Sequence, residues 1–270
     1  MVDLKRELRL YLLLRGASLR GVLQYRGNLL MMVLAGAAYQ GSGFAFVWAL
    51  LHTFGTVAGW GLGQIAFLYG MRLLSHALWL VTMDGIGQSD FLIREGQLDR
   101  MLLRPANVLS QMASHTRSIL PFGDLSMAIL VFGVALVVAD VDWSAGSVGF
   151  LVLAVLGGAF LEASVVVALA GLSVRVLDTW AYRMMTLDAI DTLGSYPLSV
   201  FGTGVQRVLT YVLPVAFIAF LPASVILGRT GQLAVPAWLG LLSPLVGVAL
   251  FTLAYRFWRH QLRGYQGVGH

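Results

Sequence analysis

Three ionisable residues sit where the chain is otherwise too apolar to keep them. Arg72 and His76 are four residues apart in the apolar run 62–83, so a helix puts them on one face, and Glu162 lies midway through the run from about 148 to 172. Charge at membrane depth is costly and is kept where it points to a partner or a wet cavity. The chemistry open to these three is electrostatic. Either Glu162 attracts a cationic solute while Arg72 and His76 shape or gate its path, or Arg72 and Glu162 form an ion pair or touch another membrane subunit. Covalent chemistry has little to work with. The chain has no cysteine, which removes thiolate nucleophiles, disulfides and Cys-ligated metals. His52, His115, His260 and His270 lack metal-ligand spacing, so no metal site is expected. Lys5 is the only lysine and has no Gly-x-x-x-x-Gly-Lys-Ser/Thr loop around it, so ATP hydrolysis cannot reside here.

The elements that must position those residues follow from composition. Of 270 residues, 58% are hydrophobic and 11% charged, against roughly 25% charged in soluble domains, and the mean hydropathy is +0.80. This is the composition of an all-α integral membrane protein forming a single transmembrane domain. Residues 1–27 interleave Lys5, Arg6, Arg9, Arg15, Arg20 and Arg26 with Leu4, Leu8, Tyr11, Leu12, Leu19, Val22 and Leu23, which predicts an amphipathic helix on the membrane surface. Two spans joined by a short glycine-rich loop occupy 28–83, a polar loop fills 84–118, two more spans occupy 119–172, a final span covers 235–258, and 259–270 is a tail. Arginines gather in the N-terminal segment, the polar loop and the tail, while the loops at 53–61 and 140–147 carry no basic residue. By the positive-inside rule both termini and the polar loop are cytoplasmic. The basic excess of +5 thus reflects orientation, and no nucleic-acid partner is expected.

The region 173–228 admits two topologies. In one, 173–206 is a cytoplasmic connection and 208–227 the fifth span. In the other, a polar fifth span covers 173–201 and 205–228 dips into the outer leaflet and returns, with Pro214 and Pro222 breaking it. The second requires shelter for Arg175, Asp178, Arg183, Asp188 and Asp191. Both give six spans. Trp48, Trp60, Trp79, Trp143 and Trp238 fall near span ends, where indoles sit at headgroup level. Gly157, Gly158, Ala159 and Ala163 give the fourth span a smooth face, suited to a permease interface or to internal packing.

The polar loop holds the densest charge, Arg94-Glu95-Gly96-Gln97-Leu98-Asp99-Arg100-Met101-Leu102-Leu103-Arg104-Pro105. Leu98, Met101 and Leu102 fall at i, i+3 and i+4, one face of a short helix that Gly96 precedes with a bend and Pro105 ends. A bounded amphipathic helix hung between two spans suits docking on a soluble partner.

This loop resembles the signature of ABC-2 type transporter permeases, Glu-x-Gly-x-Leu-acidic-x-Leu-Leu-x-x-Pro. Glu95, Gly96, Leu98, Asp99, Leu102 and Pro105 stand near the matching positions, with a slightly different spacing and with Gln97 where threonine is common. The run Gly96 to Pro105, with Tyr196-Pro197-Leu198-Ser199-Val200-Phe201, Leu213-Pro214-Val215-Ala216-Phe217-Ile218 and Leu221-Pro222-Ala223, is similar to a subgroup in which two related permeases accompany one ATPase. The resemblance implies a fold of the type V exporter kind: six transmembrane helices, an N-terminal interface helix, a cytoplasmic coupling helix seated on an ATPase, and an outer re-entrant pair. It implies two ATPase subunits that hold ATP and magnesium, a second permease that makes a heterodimer rather than a homodimer, and a bacterial inner membrane. The cargo it implies is a drug or toxic organic cation such as a viologen. An ion-coupled secondary transporter is the alternative, without a visible inverted repeat; a membrane enzyme would need an intramembrane catalytic constellation that the spacing does not offer.

Overall fold

The computed structural model describes residues 4–24, 26–115, 120–139, 141–176 and 179–267. The loop boundary at 118 and the residues Asp178 and His270 lie outside these. The described residues form helices and connecting turns without a β-strand. Helix α1 is Leu4–Leu23, α2 Arg26–Phe54 and α3 Leu62–Met83; a tight turn then leads into α4, Ser89–Arg94, and α5, Gln97–Leu102. Next come α6, Val108–Ser114, α7, Leu120–Val138, and α8, Ala145–Ser173. The chain continues through α9, Trp180–Gly194, α10, Thr203–Tyr211, α11, Phe220–Ile226, α12, Trp238–Leu241, and α13, Ser243–Arg263. Leu62–Arg94, Leu120–Val138 and Ala145–Ser173 are each long and apolar enough to cross a membrane. In hydrocarbon every backbone group must be satisfied within the helix, which is why long apolar runs take this form.

Punctuation is local. Pro121, Pro222 and Pro244 stand in the first turns of α7, α11 and α13, where a missing N–H costs nothing. Pro244 also explains why the last long helix opens at Ser243 rather than at 235, leaving α12 as a separate turn. That helix then runs on to Arg263, past the apolar stretch. The outside of the bundle is apolar: α7 exposes Ile129, Leu130, Val134 and Val137, and α13 exposes Leu245, Val248 and Leu253. A contiguous surface of this kind belongs against lipid or another membrane chain.

The two ends of the bundle differ. At one, α1 lies across α3 and α6: Tyr11 Oη donates to the Thr82 carbonyl (2.6 Å), and Arg15 pairs with Asp84 (2.8 Å) while also donating to the Val81 carbonyl. At the other, Arg229 donates to the Gly59 carbonyl (2.6 Å) and to Gln64 (2.7 Å), and Phe67 lies 6.3 Å from Trp143. Residues 208–227 do not form one continuous helix: α10 and the segment Pro214–Ile226 meet at a bend of 76°. Gln206 in α10 accepts the Ala234 N–H (3.2 Å), and Arg229, which follows α11, donates to the Gly59 carbonyl in the 55–61 loop. Between them Val215 packs near Gly194 of α9 and the Ile218 carbonyl lies against Gly158 of α8.

Close approach is concentrated where α8 meets α13. A Cβ on Gly247 would lie 1.9 Å from the Gly157 carbonyl, and one on Gly157 would lie 2.5 Å from Pro244 Cα. Gly158 faces Ser75 and the Ile218 carbonyl. The smooth face of α8 is therefore used for internal packing.

Candidate functional site

Two groups of residues carry the chemistry, one at the α1 end of the bundle and one at mid-depth. At the α1 end, Gly96 stands between α4 and α5 at φ 63°, ψ 16°, in the left-handed region that a side chain disfavours. This turn aims α5. Leu98 and Met101 then pack inward with Leu92, Ile93, Leu109 and Met112. Leu102 does not join them. It is 43% exposed, and Leu103 beside it is 87% exposed. The expected face of Leu98, Met101 and Leu102 is thus divided, because neighbouring helix positions are about 100° apart and the bundle takes the Met101 side. What projects is an apolar pair, Leu102 and Leu103, in a segment where Arg94, Glu95, Arg100, Arg104 and Pro105 are also exposed and Asp99 is half-buried.

This tip stands on a cross-braced base. Buried Gln111 donates to the Met101 carbonyl (2.9 Å) and the Ala106 carbonyl (3.1 Å), tying α5 to α6. Asn107 caps α6 by accepting the N–H groups of Leu109 (2.9 Å) and Ser110 (3.3 Å). Its own N–H donates to Glu7 of α1 (3.2 Å), and its side-chain amide donates to Tyr255 Oη of α13 (2.8 Å). Buried Asp90 of α4 pairs with Arg183 of α9 (3.0 Å) and accepts from Thr179. Burial pushes the Tyr11 phenol above its ordinary value, opposed by Arg15 and reinforced by Asp84, so Tyr11 stays a neutral donor.

At mid-depth the structure brings Arg72, His76 and Glu162 together, with different partners from those expected. Arg72 pairs with Asp191 of α9, not with Glu162. Glu162 is fully buried, and its Oε2 accepts from His76 Nδ1 (2.6 Å) and Trp79 Nε1 (2.8 Å). With the Nδ1 proton directed at a carboxylate that close, the approaches of Trp79 (3.3 Å) and Arg72 (3.4 Å) to the same nitrogen are contacts rather than hydrogen bonds to it. Trp79 is accordingly an interior donor, and Trp60 is also fully buried, against Phe220 (5.9 Å), so both indoles are covered by protein. Trp48, Trp143 and Trp238 are exposed.

Asp124 of α7 stands in the electrostatic field of His76, Arg72 and Asp191, beside Gln40 of α2. It escaped the sequence reading although it lies within the expected third span, and the rule that singled out Glu162 applies to it equally. Asp90, Asn107 and Gln111 gave no such signal, because polar residues in a polar loop are ordinary. Asp124, Glu162, Asp188 and Asp191 together outnumber Arg72 and His76, so this part of the bundle is formally acidic.

Comparison with known proteins gives one family. The model described as ABC-2 family transporter protein matches residues 37–269. No curated protein and no solved structure matches the chain. The family's members generally work with ABC ATPases, as a permease without a phosphate-binding loop requires. The match covers all of the long apolar helices but the start of α2, together with the braced turn at Gly96, and on that ground the chain belongs to the ABC-2 transporter family and is an integral membrane permease of an ABC transporter.

Proposed function

We propose that this chain is one membrane subunit of an ATP-driven exporter in a bacterial cytoplasmic membrane, moving a hydrophobic or cationic small molecule outward. Two copies of a separate ATPase hold ATP and magnesium and engage the 94–105 segment; a second, related permease completes the pathway. Both termini face the cytosol, six segments cross the membrane with α9 as the fifth, and the 203–226 dip is a re-entrant pair in the outer leaflet.

The observation that carries this reading is the tip at Leu102 and Leu103. An apolar pair held out from a buried, cross-braced base, with exposed Arg94, Arg100 and Arg104 in the same segment, has no use inside the chain. It suits a groove on a soluble protein, the arginines steering and orienting the approach. The acidic excess at mid-depth supports a cationic cargo. In this reading Arg72, His76 and Glu162 form a buried ladder behind the path, with Arg72 reaching it through Asp191.

The test is copurification. Leu103 is so exposed that Leu103→Asp leaves the fold intact, while a charge in a docked apolar pocket weakens association by about 2 kcal/mol or more. A tagged native chain brings down an ATPase and the variant does not. Recovery of the ATPase with the variant, or its absence with the native chain, sinks the proposal.

A further inference from the structure

Between α2 and α9 lies a pocket of about 230 Å³ whose wall carries three phenols, Tyr39, Tyr69 and Tyr196, with the Asp191 carboxylate and the Ser195 hydroxyl beside them. Its depth is fixed by Asp191, which pairs with Arg72 at the middle of α3. Arg72 is 1% exposed and stands behind the carboxylate, so the pocket meets the acid and not the base. Tyr39 feels Asp191, Asp188 and Asp124 against one arginine, Arg72. Tyr69 is held in place by donating to the Gln40 carbonyl (3.2 Å), and Gly43 leaves the room its phenol needs, since a Cβ there would lie 2.5 Å from Tyr69 Oη. Aromatic faces attract cations, more strongly when water is displaced, and an adjacent acid adds to this while repelling anions.

The pocket's mouth is on a face that cannot stand against lipid. Asp188 is exposed there, one turn before Asp191, with Tyr182 61% and Met185 73% exposed near it. A carboxylate at that depth requires protein or water opposite. With the second permease of the proposed exporter covering this face, the pocket opens to the interior of the assembly.

We propose that Tyr39, Tyr69, Tyr196 and Asp191 form a binding site for a small organic cation of the alkylated-ammonium class. The site rests on the exporter reading for its role and on its own geometry for its chemistry. The three rings supply the cation–π surface, Asp191 the counter-charge, and Arg72 holds Asp191 from behind.

The experiment measures binding of benzyltrimethylammonium, and of its neutral carbon isostere, to the purified transporter in lipid nanodiscs, with an assay for ATPase in the same preparation. Tyr39 is 64% exposed, so replacing it leaves packing undisturbed. Tyr39→Leu weakens the cation by about tenfold and leaves the neutral isostere unchanged, and Tyr39→Phe stays within about twofold of native. Asp191→Asn also weakens the cation selectively. Equal binding of cation and isostere by the native protein, or unchanged cation binding in Tyr39→Leu, overturns the site. Selectivity absent while ATPase copurifies removes the site alone; selectivity present without an ATPase keeps the site and removes the exporter reading.

Discussion

Glu162 shows how much one buried carboxylate depends on its donors. Its Oε2 is held by His76 and Trp79, while Oε1 lies buried with no hydrogen-bond partner among the described residues. Removing the carboxylate strands the buried indole N–H, at a cost of about 1–3 kcal/mol when unpaired, and takes the acceptor from the partly exposed imidazole. Glu162→Ala therefore lowers the thermal midpoint of the detergent-solubilised protein well below native. Glu162→Gln, which keeps an acceptor oxygen in place, recovers part of that loss. Equal midpoints for the two variants would show that the donors find other partners. Sequence made Glu162, Arg72 and His76 visible because charge inside an apolar run stands out. It did not make their pairing visible: Asp191 lies in a stretch that two topologies fitted, so the acid that meets Arg72 could not be chosen without the path of α9. Trp79 misled for a related reason, since an indole near a span end reads the same whether its N–H meets a headgroup or a buried carboxylate.

At the scale of elements, α3, α7 and α8 were legible because each carries a long apolar run, and the short helices only in outline. A six-residue helix such as α5 has no stability of its own. Which of its side chains face inward is decided by Leu92, Ile93, Leu109 and Met112, residues that the spacing of Leu98, Met101 and Leu102 does not mention. The angle between α4 and α5 depends on Gly96 at positive φ. A Cβ there costs about 1–2 kcal/mol in the left-handed region, more for a β-branched residue. Gly96→Val is thus expected to re-aim the Leu102–Leu103 tip without touching any of the side chains that make it. Its signature is reduced ATPase copurification with the α1–α6 base still folded, read as unchanged protease resistance of residues 4–24 and 26–115. Full copurification with Gly96→Val would mean that the turn does not set the docking angle.

Across the whole molecule, α9 touches both groups of functional residues, as α3 and α8 also do. Its first turn is bound to α4 through Arg183 and Asp90, and its last turn binds Arg72 of α3 through Asp191. Arg183 and Asp191 are eight residues apart, about 12 Å along a helix, so in the exporter proposed above a displacement of the α4–α5 turn would reach the mid-depth acids along α9. Coupling of this kind is physical only if breaking the link separates the two activities. Asp90→Asn removes the charge and keeps the shape, leaving Arg183 buried without its counter-ion, a loss of about 3–5 kcal/mol where no new partner is found. Arg183→Gln in the same chain removes that stranded charge and restores stability. The double variant is therefore the informative one: folded and able to bring down the ATPase, because the Leu103 tip is untouched, but with transport in inverted vesicles reduced severalfold while ATP hydrolysis continues. If the folded double variant transports at the native rate, force reaches the bilayer by another route, through α3 or α8, and the α9 link is a structural tie. If hydrolysis falls together with transport, the tip itself has moved, and the α4–α5 turn rather than α9 is what the Asp90 pair secures.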